Sequence, residues 1–289
     1  MSLRALAGPW SLDGSVGIAF LIVTVAAAGV YAAAAAIGTT RDRRHRRWPR
    51  RRTACFFAGL GVLVIDLYSG IGTEADVRLS AHMLEHMIMW LVVAPLLAAG
   101  APIRLALFAL GRPGRRRLAR WLHSSVLSRL AAPVGSVVVF STALLVTHVP
   151  AVYGLALRDE SAHQAEHALY LASALLMWVP LLGIDPLPHR VTPRVRLACL
   201  VAGMVPMLLV ATWLGLAPGT VYRHYVVNLG PASLHDQRVA AMIMWVGGLP
   251  ALVVPAVLRR GSSAPRRAPA APPAPAAPTR RRPWAPTAM

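Results

Sequence analysis

Two short segments of this sequence are copies of one pattern. Residues 80–86 read Ser-Ala-His-Met-Leu-Glu-His and residues 161–167 read Ser-Ala-His-Gln-Ala-Glu-His, both of the form SAHxxEH. On a helix, positions i, i+3 and i+4 share a face. Each copy therefore presents two imidazoles and one carboxylate together: His82, Glu85 and His86 in the first, His163, Glu166 and His167 in the second. At about 1.5 Å rise per residue, the second imidazole of each pair lies about 6 Å further along the axis. Neutral imidazole suits copper, zinc, iron or nickel. A nearby carboxylate that accepts the second ring N–H fixes the tautomer, and this is the role the pattern suggests for Glu85 and Glu166. The expected chemistry is binding of a transition metal. Heme is the alternative, because bis-histidine ligation could draw on a pair such as His82 and His163.

The chain before each copy repeats as well. Asp66 stands sixteen residues before His82, and His148 stands fifteen before His163. A duplicated helical hairpin accounts for both spacings, with one polar ligand on the first arm and HxxEH on the second. His235, Asp236 and Gln237 open a later apolar stretch and read as a degenerate partner. The candidate metal ligands are thus His82, His86, His148, His163, His167, Asp66 and His235. Glu85, Glu166 and Asp236 are candidates for holding the imidazoles in place. Met83, Met87 and Met89 read as packing or lipid-facing residues, with a thioether role in copper handling as the alternative. His45, His123 and His189 lie in or beside basic segments and read as surface residues. The segment 215–235 is a longer outer loop with Tyr222, His224 and Tyr225.

The elements that must position these residues are membrane helices. Of 289 residues, 56% are hydrophobic and only 14% are charged, against about 25% charged in a soluble domain. The charges sit in short runs between long apolar stretches, and a membrane helix needs roughly 20 mostly apolar residues. Such stretches fall near 16–37, 54–69, 79–99, 133–149, 163–183, 196–214 and 237–258. The fold class is therefore all-α, a polytopic membrane bundle of about seven helices over residues 16–258. Pro95, Pro180, Pro206 and Pro250 are tolerated inside spans when neighbours satisfy the freed carbonyls. The first stretch is long enough to span, so it reads as a helix rather than a cleaved signal peptide. Residues 1–15 form a short outer segment. The tail 259–289, rich in Pro, Ala and Arg, cannot bury a core and is expected to be disordered.

The net charge is +19, and every basic residue is Arg. A basic balance of this size raises nucleic-acid binding as a reading. The runs fall between apolar stretches, however, where they act as orientation signals, so no nucleic-acid partner is expected. Eight arginines lie in 41–52, five in 112–120, three in 189–196 and seven after residue 258. These segments follow the first, third, fifth and seventh apolar stretches. The positive-inside rule then puts the N-terminus outside, the C-terminus in the cytoplasm and the histidine pairs at the outer face of the plasma membrane. Membrane lipid is the expected partner of the basic tail. Ionisable residues within a membrane cost about 2.5–3.5 kcal/mol at a helix centre, so they usually face the bundle interior and mark function. Cys55 and Cys199 stand far apart in no CxxC arrangement, which indicates neither a disulfide framework nor a thiolate metal site.

Four segments carry a resemblance: HMLEHMIMWLVVAPLLAAGAP (82–102), THVPAVYGLAL (147–157), HQAEHALYLASALLMWVPLLG (163–183) and DQRVAAMIMW (236–245). Together they resemble the CtaG-type cytochrome c oxidase assembly factors, from about residue 53 to 258. The resemblance implies a multi-span accessory protein needed to form active heme–copper oxidase. It also implies oxidase subunits as partners, copper as cofactor or cargo, and no catalysis of its own. The matching polar positions are His82, His86, His148, His163, His167, Asp236 and Gln237. That family is distinct from the single-span, cysteine-bearing copper chaperones, and the lack of CxxC here agrees with the distinction. The Arg-rich 41–52 loop and the Pro/Ala/Arg tail are not explained by the resemblance.

Other classes fit less well. HxxEH is the signature of inverzincin proteases, but two aligned copies at membrane helix ends suit that chemistry poorly. Membrane di-iron enzymes generally hold their histidines on the cytoplasmic side. A transporter would need a polar path to the inner face, and the inner halves of the stretches hold few polar residues. The expected function is assembly of a heme–copper oxidase, with copper at an outer histidine cluster. A membrane heme-binding or di-metal redox protein using the same histidines is the alternative.

Overall fold

A computed structural model describes residues 15–41, 47–189 and 191–253. Helices and turns make up these residues, and no strand occurs among them. Nearly all of the expected outer segment 1–15 and all of the tail 259–289 lie outside the described residues.

Each of the seven apolar stretches falls on a helix, but not each helix passes as a span. Gly17–Thr39, Leu79–Ala109, Glu160–Leu182 and Pro193–Leu216 are long and apolar enough to cross a membrane. A fifth is added if the bent pair Pro133–Thr147 and Pro150–Ala156 counts as one span. Helix α1 (Ser15–Arg41) is followed by α2 (Arg50–Tyr68), which opens on three arginines and carries Asp66. The last stretch is shorter than its apolar sequence predicts. Its α-helix, Ser233–Gly247, has 15 residues and passes into a 3-10 turn at Leu249–Leu252.

Three successive units share one plan, a long helix, a short one and another long one. The first is α2, α3 (Gly70–Ala75) and α4 (Leu79–Ile88). Helix α4 runs on through a π turn at Met89–Val93 into α5 (Ala94–Ala99) and α6 (Pro102–Ala109). Two surface helices follow, α7 (Arg112–Leu122) and α8 (Ser125–Leu130). The second unit is α9 (Pro133–Thr147), α10 (Pro150–Ala156) and α11 (Glu160–Leu182). The third is α12 (Pro193–Leu216), α13 (Arg223–Leu229) and α14 (Ser233–Gly247). This plan agrees with the hairpin repeat expected from the spacing of Asp66, His148 and the two SAHxxEH segments.

The π turn has a local cause. Pro95 lacks an N–H, and its ring would clash with a carbonyl one turn back. A widened turn absorbs that mismatch without breaking the helix. Below it the chain does break, at Ala101, which takes a left-handed conformation with φ of 54°. Helix α2 packs closely along this region. A Cβ on Gly59 would stand 3.1 Å from the backbone nitrogen of Leu97, so a glycine is required there.

The break is pinned from a distance. The backbone N–H of Arg104, in the first turn of α6, donates to Asp185 Oδ1 at 2.8 Å. Burial pushes the Asp185 carboxyl up to about 6, against the lowering pull of that hydrogen bond. A raised folded-state value means that the unfolded chain ionises first. Stability should therefore fall as pH rises from about 4 through about 6, then level off. Asp185→Asn should flatten that dependence, which thermal melts across pH 4 to 7 would read.

Helices α4–α5, α11, α9, α12 and α14 pack in a closed ring, and α2 lies against α5. Helix α1 lies outside, against α6, with few buried residues. Cross-links index the two ends. Near one end, Tyr68 OH donates to Gly17 O at 2.6 Å and the Gly17 N–H donates to Glu160 at 3.3 Å. Near the other, Trp48 lies 5.8 Å from Phe108, and Ser128 meets His189 at 3.1 Å. The N-terminal ends of α1 and α11 thus lie together, away from the described Arg-rich segments.

Candidate metal centre

Helices α4 and α11 both begin at the end of the bundle where Gly17 meets Glu160, and they bring their repeats face to face. The ring centroids of His82 and His86 are 4.4 Å apart, and those of His163 and His167 are 4.4 Å apart. Across the two helices, His82 lies 5.4 Å from His163 and His86 lies 5.6 Å from His167. His82, His86 and His167 are buried and His163 nearly so. The local signals that start these helices are legible. Asp159 accepts from the Ala162 N–H at 2.8 Å and caps α11 through its own side chain. Helix α4 has no such residue of its own. Asp236 reaches over from α14 and accepts from the Ser80 backbone N–H at 3.1 Å and from Ser80 Oγ at 2.5 Å.

Asp236 therefore positions the first repeat through its helix start rather than through an imidazole. An N-cap contact is worth about 0.5–2 kcal/mol. Asp236→Ala should lower stability by about that amount, while Asp236→Asn, which also caps well, should recover most of it in thermal melts.

The carboxylates join the cluster. Glu85 Oε2 lies 3.4 Å from His167 Nε2, across the helix pair. One ligand atom each from His82, His86 and Glu166 fall within 4.8 Å of one another. So do one each from His82, Glu85 and His163. Both glutamates thus stand at ligand spacing themselves, beyond the orienting role expected of them. The donor atoms are also without partners: both ring nitrogens of His82, His86 and His167, Nε2 of His163, both oxygens of Glu166 and one of Glu85. Buried polar groups are nearly always hydrogen-bonded. A concentrated set of bare imidazole nitrogens and carboxylate oxygens fits a transition ion that takes nitrogen and oxygen donors.

The surroundings divide into a floor, a roof and a mouth. His86 stacks on Tyr170 at 4.5 Å, and Tyr170 packs on Phe140 at 5.8 Å. Phe140 stacks on Trp90 at 5.4 Å, closing the site with aromatic rings on its deep side. Tyr153 lies 5.1 Å from His82 and its hydroxyl is 2.8 Å from that of Tyr225. Tyr222 stacks on Tyr153 at 4.0 Å. A cavity of about 420 Å³ leads in between α3 and the start of α11, reaching Glu85, His163 and His167. Asp76, Asp159 and Glu160 line its outer part.

The remaining candidates fall elsewhere. Asp66 is buried and unpartnered on α2, close enough to Glu85 for the two charges to interact. His148 is buried at the end of α9, 6.3 Å from the Tyr153 ring, with Nε2 facing Met83 rather than an imidazole. His235 is exposed and stands apart from the cluster. The neighbouring Gln237 is buried, donating to Leu214 O at 2.9 Å and accepting from the Val221 N–H at 2.7 Å, so it ties down the loop after α12. Met83, Met87 and Met89 are all buried, so none of them faces lipid. The sequence reading missed the tyrosines around the histidines. Tyr170 was within reach, three residues past His167 on the same helix face, whereas Tyr153 and Tyr225 arrive from the short helices α10 and α13.

Comparison with known proteins follows the same lines. The chain is 27% identical over 260 residues to proteins named "Uncharacterized protein Mb0105" from Mycobacterium bovis and "Uncharacterized protein MT0111" from Mycobacterium tuberculosis. Each alignment covers 85% of this chain and 38% of the relative. "Uncharacterized protein ML1998" from Mycobacterium leprae is 29% identical over 203 residues, covering 68% of this chain and 30% of that protein. The chain thus spans well under half the length of these relatives. No solved structure matches it. The family described as cytochrome c oxidase caa3 assembly factor (Caa3_CtaG) matches residues 17–260, over the same helices that build the histidine cluster. By that match the chain belongs to the caa3 assembly factor family.

Proposed function

We propose that this protein assists assembly of a heme–copper cytochrome c oxidase by holding copper in the cluster of His82, His86, His163 and His167. One observation carries the reading: four imidazoles and two carboxylates converge on facing helices with their donor atoms unpartnered. Family membership supplies the process, and the donor set supplies the chemistry. Copper is cargo here, loaded at the cluster and released to an oxidase subunit, so no catalysis by the chain is required.

The arrangement favours copper over heme. His82 and His163 stack at an interplanar angle of 14°. The four rings crowd within 4.4–5.6 Å of their neighbours, and a macrocycle would need the space that His86 and His167 fill. The aromatic floor favours loading and unloading from one side over passage through the bundle. That side is the outer face of the plasma membrane, because the Arg-rich segments mark the opposite end as cytoplasmic.

Metal analysis of detergent-purified protein tests the cargo. Copper should co-purify or be taken up stoichiometrically, and His86→Ala with His167→Ala should lose the copper held by the four-histidine cluster. An undiminished copper content in that variant would overturn the assignment. A periplasm-active reporter fused near Ala217 should be active and one fused after Leu258 silent. The reverse would place the cluster on the cytoplasmic side.

A further inference from the structure

His148 does not join the four-histidine cluster, and its surroundings give it a different use. Helix α9 ends at Thr147, because Pro150 has no N–H to continue it, and the chain turns by 78° into α10. At the bend, His148 Nδ1 lies 2.7 Å from the Leu144 carbonyl oxygen. A carbonyl can only accept, so Nδ1 carries the proton and donates. Neutral imidazole then has a bare lone pair on Nε2. That nitrogen points at the thioether sulfur of Met83, 3.4 Å away. Sulfur in a thioether has no proton to give. Two Lewis bases therefore face each other with no hydrogen between them, both in buried residues at 3% and 1% exposure.

We infer that His148 and Met83 form a second metal position, beside the four-histidine cluster, that takes a soft monovalent ion, Cu(I). The inference rests on the copper reading above, and adds that the protein holds Cu(I) on sulfur as well as on nitrogen and oxygen. Thioether selects Cu(I) over harder ions, and imidazole accepts it too. The spacing fits. Bonds of about 2.0 Å to nitrogen and about 2.3 Å to sulfur close a 3.4 Å separation at an angle of about 104°. An ion at those two distances would sit to one side of the N–S line, within reach of both atoms. Tyr222 OH donates to the His148 carbonyl at 3.0 Å and holds the bend in place. Met83 follows His82 in sequence, so the soft position and the cluster share one turn of α4.

X-ray absorption at the copper edge reads the difference directly, because the four-histidine cluster offers no sulfur. Detergent-purified protein loaded with Cu(I) under reductant should show a sulfur scatterer at about 2.3 Å. Met83→Leu, which conserves volume in a core, should lose that scatterer and one equivalent of Cu(I) per chain. His86→Ala with His167→Ala should keep both the scatterer and that equivalent, even though the cluster is gone. A cluster that binds nothing while the sulfur signal persists would count against the function proposed above and leave this position standing. Absence of a sulfur scatterer in the wild-type protein would overturn it, and that measurement needs no variant. Persistence of the scatterer in Met83→Leu would overturn it equally.

Discussion

Cells in which this protein carries His86→Ala and His167→Ala should insert it normally yet contain oxidase polypeptide that lacks copper and consumes almost no oxygen. Both residues are the deeper members of their pairs, each 2% exposed. No ring nitrogen of either is hydrogen-bonded, so the only polar contact that truncation removes is the 3.4 Å contact of His167 with Glu85. Alanine is the best helix former and leaves insertion of α4 and α11 unimpaired. Binding is another matter. Changing a group that merely orients a ligand costs about 10- to 100-fold in metal affinity. Loss of two direct ligands should exceed that, taking oxygen uptake to the level of a strain without the protein. Growth in excess copper should restore part of it. Fully metallated, active oxidase in such cells would separate the histidines from assembly altogether.

Loading the purified protein with copper should raise its melting temperature by on the order of 5–10 °C, the second large effect. Without an ion the cluster holds a concentration of buried, unpartnered atoms on His82, His86, Glu166 and His167. Each such group costs about 1–3 kcal/mol relative to a satisfied one. An ion that binds only the folded state, present at 100 times its dissociation constant, contributes about 2.7 kcal/mol. For a chain of this size, 1 kcal/mol moves the midpoint by about 2–4 °C. A chelator should reverse the shift. The His86→Ala, His167→Ala protein should lose most of it, and an equal shift in that variant would assign the stabilisation to another site.

The histidine pairs were legible in the sequence because a helix converts spacing into a face, and two copies of SAHxxEH make the same face twice. The partner of each pair was legible only through the repeat. What failed to show was rotation. His235 and Asp236 are adjacent, and one residue is about 100° on a helix. Whether His235 or Asp236 turns inward depends on how α14 seats against α4 and α12, which no local pattern records. The outcome buries Asp236 against Ser80 and leaves His235 exposed. His148 was assigned to the right end of the bundle, but the bend before Pro150 aims it at Met83. The number of spans depends on helix length as well as on apolar composition. Four described helices, or five with the bent pair, are long and apolar enough to cross a membrane, and the arginines opening α2 and the 15 residues of α14 keep those two below that mark.

The π turn at Met89–Val93 gives the central helix two independent frames. The part before it packs on α14 and meets α11 through the rings of His82 and His86. The part after it is wedged between α11 and α2, meeting α2 through Leu97 and Gly59. One surplus residue in the turn sets the phase between the two. Deleting a residue there would restore an unbroken α-helix and spin the inner half by about 100° relative to the outer. The histidines would keep their places while Leu97 left its groove on α2. Length in this stretch is thus constrained to the single residue, although almost any apolar side chain would satisfy its composition.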